Sequence, residues 1–137
     1  EPKQKVLNSV TEDITVEGMI QTMTQYLNHL KEALMTFDRK EINTGNVNSI
    51  MFTAYGRFPA LHRKAQRLAL KEVDLWRKAI YNSQRAGLIK HGIDVDQIAL
   101  MFAHIKNSYD SGLGRTQMNF QLLEKTYYAL YNLLKKE

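Results

Sequence analysis

The sequence predicts an all-α protein, a bundle of five to six helices in one domain spanning 1–137. Apolar residues recur at steps of three and four along most of the chain, which is the period of a helix with one buried face. The chain contains two prolines, Pro2 and Pro59, so long helices are not interrupted. No segment shows the strict alternation that is typical of a strand. These three observations together favour helix packing on helix.

The first predicted helix runs from Val16 to about Phe37. Thr15 precedes it and can serve as its N-cap, because a threonine hydroxyl accepts a hydrogen bond from an amide of the first turn. A loop over 38–46 and a short helix over 47–57 follow. The apolar positions are Val16, Met19, Met23, Leu27, Leu30, Leu34 and Phe37 in the first helix and Ile50, Met51, Ala54 and Tyr55 in the second.

The longest predicted helix covers residues 60–85. Pro59 suits its first turn, where a missing amide proton costs nothing, and Gly87 is the expected C-terminal stop. We expect Trp76, the sole tryptophan, to lie inside the fold because it belongs to the apolar stripe of this helix. That stripe consists of Leu61, Ala65, Leu68, Ala69, Val73, Trp76 and Ile80.

The last two predicted helices are apolar on more than one side. Asp94 can cap the first of them, with Gln97 in the position of a capping box, and residues 98–103 include no polar side chain. The final helix covers about 116–135. A single soluble helix normally has one apolar stripe, so the surplus predicts a two-fold homodimer through these two helices. The predicted interface residues are Ile98, Met101, Phe102, Ile105, Phe120, Leu123, Tyr127 and Leu130.

The formal net charge of +5 permits an anionic partner. The densest basic group is formed by Arg63, Lys64, Arg67, Lys71 and Lys78. One interpretation is a solvated helix face; the other is a surface for nucleic acid, whose binding would depend steeply on salt. The chain has no cysteine, no apolar run of membrane-spanning length and no signal peptide, so we predict a cytoplasmic protein without membrane contact.

Patterns that carry catalysis or metal binding are missing from the sequence. The four histidines include no pair spaced four residues apart, and there is no nucleophile elbow, acidic pair or dinucleotide fingerprint. The glycine-containing segment 112–116 could hold an anion but lacks the lysine and spacing of a phosphate loop, so we interpret it as an interhelical turn. We therefore predict no enzyme, no cofactor and no metal.

Large, deformable side chains on the first three helices predict an apolar ligand pocket. Thioethers adapt to irregular spaces, and tyrosine and tryptophan each offer a polar atom to a ligand. The alternative for these side chains is a closely packed core without a cavity. For His104, the alternative to a ligand contact is a position in the core or at an interface. The predicted pocket residues are Met23, Tyr26, Met51, Tyr55, Trp76, Ile80 and His104.

Short motifs follow one another in a fixed order along the second half of the chain. They are Phe58-Pro59-Ala60-Leu61, Trp76, Gln84-Arg85-Ala86-Gly87-Leu88-Ile89, Gly92-Ile93-Asp94-Val95-Asp96, Ile98-Ala99 and Gly112-Leu113. This order, with the helix lengths from Val16 onward, resembles the C-terminal regulatory domain of the tetracycline-repressor (TetR) family of bacterial transcription regulators.

The resemblance implies an effector-sensing and dimerisation domain that binds a small, hydrophobic molecule. The earlier helices would enclose the effector, and the last two would form a four-helix dimer interface. DNA would be contacted only through an N-terminal helix-turn-helix domain that is missing from this chain, and 1–8 would be the end of the connecting helix. A start at Glu1-Pro2 agrees with a chain that is processed, tagged and trimmed, or a fragment. The other possibility is a protein that keeps only the regulatory half. The alternative function is a helical interaction module, an adaptor-like dimer without a ligand.

Overall fold

Five helices form the part of the chain that the structure, a computed structural model, describes: residues 2–36, 56–112 and 120–136. Within these ranges there is no strand, and the only β contact is an isolated antiparallel bridge between Ile89 and Lys135. The predicted all-α fold is confirmed. The helices are α1 (Pro2–Asn8), α2 (Val16–Thr36), α3 (Pro59–Arg85), α4 (Val95–Gly112) and α5 (Phe120–Leu134).

Helix α3 is the centre of the arrangement. It packs against α1, α2 and α4, while α5 lies against α2 and α4. The largest fully buried side chains come from three different helices, namely Trp76 of α3, Phe102 of α4 and Tyr127 of α5. The core therefore lies where the carboxyl half of α3 meets α2 and the last two helices.

The start of α2 is held both by its own N-cap and by α3. The Thr15 hydroxyl accepts a hydrogen bond from the amide of Gly18 at 3.2 Å, so the predicted cap is confirmed. The amide of Val16 donates to the hydroxyl of Ser83, which is fully buried, at 3.0 Å. Asn82 donates its side-chain amide to two carbonyls of the segment before α2, each at 2.9 Å. Two polar side chains of α3 thus satisfy groups at the entry to α2.

The ends of α3 agree with the sequence. The helix begins at Pro59 and stops before Gly87, whose φ of 76° lies in the left-handed region that glycine tolerates. The amide of Leu88 donates to the carbonyl of Ser83 at 2.9 Å, and the amide of Gly87 donates to that of Gln84 at 3.1 Å. This pair of hydrogen bonds is the Schellman motif.

The link between α3 and α4 is fixed at both sides. Asp94 accepts a hydrogen bond from the amide of Gln97 at 3.1 Å, so it caps α4 as predicted. Backbone hydrogen bonds of 2.9 and 3.0 Å join the link residues 88–90 to residues 134–136 beyond α5. The end of the last helix is thereby attached to the turn after α3.

The apolar stripe of α3 is buried over only part of its predicted length. Leu68, Trp76 and Ile80 are buried, whereas Leu61 is 37% exposed and Ala69 lies on the surface. Among the described residues, polar side-chain contacts join Lys71 and Glu72 of α3 to α1, and Arg77 to α4.

Several predicted features lie outside the described residues. These are the loop over 38–46, all but the end of the short helix over 47–57, and residues 113–119, where the final helix was expected to begin. In the described part of the chain, no helix is long and apolar enough to cross a bilayer.

Candidate functional site

Three aromatic rings from three helices meet in the core. The indole of Trp76 stacks on the ring of Phe102 with a centroid distance of 4.5 Å and an interplanar angle of 7°. Its other neighbour is Tyr127, with centroids 5.6 Å apart and an angle of 24°. All three side chains are fully buried. A displacement of any one ring would therefore disturb the packing of α3, α4 and α5 together.

A buried carboxylate adjoins this aromatic cluster. Glu72 stands one helical turn before Trp76, and its side chain is only 7% exposed. One carboxylate oxygen lies 3.0 Å from the ammonium of Lys3 on α1, and the other accepts a hydrogen bond from the indole N–H of Trp76 at 3.4 Å. A buried charge is tolerated when it is paired and hydrogen-bonded in this way. Glu72 thus connects α1 to the aromatic core.

Neither Glu72 nor Lys3 was predicted as a site residue, although the sequence carries a signal for the first. Positions 68, 72, 76 and 80 are spaced four apart and share one helix face. Three of them are the apolar residues Leu68, Trp76 and Ile80, so a carboxylate at the remaining position must enter the core. No local pattern identifies its partner, because α1 is brought to α3 by the tertiary fold.

Apolar and polar contacts together hold α1 in place. Leu7 is 1% exposed and belongs to the core, and the ammonium of Lys71 donates to the side-chain oxygen of Asn8. After α1, the carboxylate of Glu12 lies 2.8 Å from the ammonium of Lys78 at the surface. The beginning of the described chain is therefore attached along α3.

The predicted ligand-pocket residues divide into three groups. Met23, Trp76 and Ile80 are fully buried members of one core cluster, and Tyr26 packs against it while half-buried. Met51 and Tyr55 lie outside the described residues. His104 is exposed on α4 and lies on the side of the helix away from the buried ring of Phe102, so its place in a ligand pocket stays a prediction.

A small gap lies between α2 and α5, beside the aromatic cluster. It is lined by Thr24, Leu27, Leu123, Glu124 and Tyr127 and has no room for a water molecule. The gap therefore offers no space for an effector in this arrangement of the helices.

The predicted interface residues also divide. Phe102, Leu123 and Tyr127 are at most 1% exposed within the single chain, so their side chains have no surface to offer a second copy. This corrects their assignment, and the reason is that an all-round apolar helix does not reveal which of its faces meets its own core. Met101 is 44% exposed, while Ile98, Ile105 and Leu130 are half-buried at the edge of the core. The side chain of Phe120 is outside the described part.

Among the described residues, four large apolar side chains are exposed on the last two helices. We call them the outer residues: Leu100 and Met101 on α4, 40% and 44% exposed, and Leu122 and Leu133 on α5, 44% and 72% exposed. Leu122 and Leu133 are eleven residues apart, three helical turns, and so share one face. Thr126 lies between them, and its hydroxyl donates to the carbonyl of Leu122 at 2.8 Å. Its hydroxyl is thus used within the helix.

The described residues show no constellation for metal chemistry. Among residues 2–36, 56–112 and 120–136, no three histidine, aspartate or glutamate side chains come close enough to hold a metal ion. The chemistry available in the core is accordingly apolar and aromatic contact beside one paired carboxylate.

Comparison of the chain with protein-family models, with curated proteins and with solved structures finds no match. The resemblance to TetR regulatory domains therefore stays a prediction.

Proposed function

We propose that this chain is the effector-sensing and dimerisation domain of a TetR-like transcription regulator, with a small, hydrophobic effector. The observation that carries the proposal is the position of Trp76. Its ring lies between helices α3, α4 and α5, and its N–H donates to the carboxylate that binds α1. A change at this one side chain acts on the first helix and on the last two.

The aromatic cluster supports the sensing half of the proposal. A ligand shifts a protein between two arrangements only if it binds one of them more tightly. An apolar molecule that reaches the region of Met23, Trp76 and Ile80 has to separate closely packed side chains, and so it selects a different arrangement of their helices. An effector with a hydrogen-bond donor could also use the carboxylate of Glu72.

The outer residues support the dimerisation half. Large apolar patches that remain exposed on a single chain mark interaction sites. A second copy is the partner that we propose, because a two-fold interface uses the same surface of both chains. Phe102 and Met101 are neighbours on α4, one buried against Trp76 and the other exposed. A shift of α4 in the core would therefore also move the interface.

In this proposal, the operator is recognised only by a helix-turn-helix domain joined to the amino side of α1. The ion pair between Lys3 and Glu72 would connect the position of that domain to the state of the core. The protein is proposed to be cytoplasmic and to perform no catalysis.

A thermal-shift screen of hydrophobic and aromatic compounds tests the sensing proposal. A ligand that binds only the folded chain stabilises it by about 2.7 kcal/mol at a hundred times its Kd. A true effector should also change the fluorescence of Trp76. If a broad panel contains no compound that does both, the sensing proposal fails.

The alternative function, a helical interaction module without a ligand, is favoured by one specific observation. The ring of Trp76 stacks on those of Phe102 and Tyr127, and the gap beside Tyr127 has no room for a water molecule, as expected of a core that is simply filled. Light scattering at micromolar concentration separates the possibilities when it is combined with the screen. A dimer without any stabilising compound supports the interaction module, and a dimer with one supports the sensor.

A further inference from the structure

Basic residues in α3 and just before it have different surroundings. In the carboxyl half, Arg77 lies between two carboxylates, Asp96 at 2.7 Å and Asp74 at 2.5 Å. Lys78 is paired with a glutamate at 2.8 Å, and Lys71 donates to an asparagine of α1. Each of these three cations is engaged within the chain.

Three arginines near the amino end of α3 are not engaged in this way. Arg57, Arg63 and Arg67 are exposed, and within the described residues their side chains make no ion pair or hydrogen bond. No acidic residue occurs from position 57 to position 71. The next carboxylate along the chain is Glu72, which is buried and bound to Lys3. We call the three arginines the arginine surface.

The spacing of two of these arginines concentrates their charge. Arg63 and Arg67 are four residues apart, so they are neighbours on one face, about 6 Å apart along the helix axis. Like charges at this spacing repel and destabilise a helix. An anion bound across both side chains would relieve that repulsion.

We propose that the arginine surface binds the phosphate backbone of a nucleic acid without reading its sequence. The guanidinium group is a planar fork of donors that matches two phosphate oxygens at once. Contacts of this kind position a protein on nucleic acid, and reading of base sequence requires other contacts.

The apolar residues beside the surface favour a nucleic acid over an anionic membrane. A helix that lies on a bilayer inserts one broad apolar face. Leu61 and Leu70 are both exposed, but they are nine residues apart, which places them on opposite sides of α3. The apolar face farther along the helix, at Leu68 and Trp76, is already buried in the core.

This inference goes beyond the proposed function and does not depend on an effector or a dimer. It differs from the expectation that DNA is contacted only through an additional domain, since it adds backbone contacts from the regulatory part. The proposed surface also contains fewer residues than the basic group described from the sequence. Lys71 and Lys78 are left out because their ammonium groups already bind other side chains of the chain.

Binding of the full chain to a fluorescein-labelled DNA duplex of mixed sequence, measured by anisotropy between about 50 and 200 mM salt, tests the proposal. If three phosphates are neutralised, the logarithm of the binding constant falls against the logarithm of the salt concentration with a slope of about −2.7. The double variant Arg63→Gln/Arg67→Gln should reduce that slope to about −0.9, since one arginine remains.

A charge-matched control removes two exposed lysines elsewhere. Lys125→Gln/Lys136→Gln loses the same charge from α5 and from the second residue after its end, and it should keep the wild-type slope. Far-UV circular dichroism must first show that both double variants melt like the wild type. If Arg63→Gln/Arg67→Gln is unfolded, Arg63→Lys/Arg67→Lys is measured in its place. This second variant should keep the salt dependence of the wild type, because its charge is unchanged. It should bind DNA more weakly, because lysine lacks the planar pair of donors of a guanidinium group.

Three results would overturn the proposal. The first is a wild-type chain that does not bind the duplex at about 50 mM salt. The second is an equal loss of slope in both charge-matched variants, which would mean that net charge and not this surface attracts DNA. The third is binding to equimolar phosphatidylcholine–phosphatidylserine vesicles without binding to DNA, which would identify a lipid surface as the partner.

Discussion

The core around Trp76 and the outer residues of α4 and α5 are both built from large apolar side chains, yet only the core is completed within the chain. In the core, Trp76, Phe102 and Tyr127 are fully buried, and the nearby carboxylate is paired. On the outside, Met101 is 44% exposed and Leu133 is 72% exposed. The inner surface of these helices therefore stabilises the fold, whereas their outer surface is available for association.

The largest effect is expected from Phe102→Ala, which removes the ring stacked on Trp76 and leaves a cavity in the core. Substitutions of this kind lower the free energy of unfolding by about 3–5 kcal/mol. The control is Met101→Ala on the adjacent, exposed position, which should change it by no more than about 0.5 kcal/mol at a concentration low enough to keep the chain monomeric. Urea titration followed by circular dichroism measures both. Equal losses of unfolding free energy in the two variants would show that Phe102 stabilises the fold no more than Met101 does.

The same reasoning applies to the charged variant Phe102→Asp. The sequence places Phe102 at a dimer interface, where an aspartate would split the dimer or unfold it. Because the side chain is buried against Trp76, we expect unfolding. A folded monomer, seen by light scattering together with circular dichroism, would contradict the core assignment.

An intermediate effect is expected from Lys3→Met, which leaves the carboxylate of Glu72 without its cation. Breaking a buried ion pair costs about 3–5 kcal/mol, and since Lys3 is itself 24% exposed we expect roughly 1–3 kcal/mol. Adding Glu72→Gln to this variant should recover part of the loss, because no unpaired charge then remains. A double-mutant cycle from urea titrations measures this coupling.

The surface pair between Lys78 and Glu12 is the matched control for that cycle. The side chain of Glu12 is 91% exposed, so the pair should contribute no more than about 1 kcal/mol. A coupling free energy between Lys3 and Glu72 no larger than that of the surface pair would show that the buried carboxylate does not hold α1.

A substitution on the outer face should affect association rather than folding. Leu122→Glu replaces a side chain that is 44% exposed, so we expect the free energy of unfolding of the monomer to change by no more than about 0.5 kcal/mol. If the dimer proposal is correct, the variant is monomeric in light scattering at a concentration at which the wild type is dimeric. A variant that still dimerises would place the interface elsewhere.

The smallest effect concerns two tyrosines between α2 and α5. Burial raises the pKa of Tyr131 and of Tyr128 above the ordinary value, and the charge of Glu17 raises both further. The fold therefore favours the neutral phenol. This contribution to stability is complete below about pH 10, the pKa in the unfolded chain, and is lost as the pH rises through the higher folded pKa.

Titration of phenolate absorbance in the wild type and in Glu17→Gln checks this effect. The variant should ionise at a lower pH, because one source of negative charge has been removed, while burial keeps the pKa above the ordinary value. Unchanged titration would show that Glu17 is too well solvated to act on either ring. Tyr131→Phe identifies the signal of Tyr131.

Local signals account for much of the fold. The caps Thr15 and Asp94, the start at Pro59 and the stop at Gly87 all agree with the structure. Each depends on a side chain or a backbone conformation within a few residues of the helix end, so the sequence carries it directly. The burial of Trp76 was equally predictable from its place in a stripe with a helical period.

Tertiary structure decided which apolar surfaces are used and which distant residues meet. By itself the sequence determined an all-α fold and a helix pair with more apolar surface than one stripe provides. It could not assign Phe102 to the core and Met101 to the outside, because periodicity measures the spacing of apolar residues and not the direction in which a helix is docked. The pairing of Lys3 with Glu72, and of Ser83 with the start of α2, likewise arises only when separate helices are brought together. Such contacts join residues more than sixty positions apart, and no local energy along the chain specifies them.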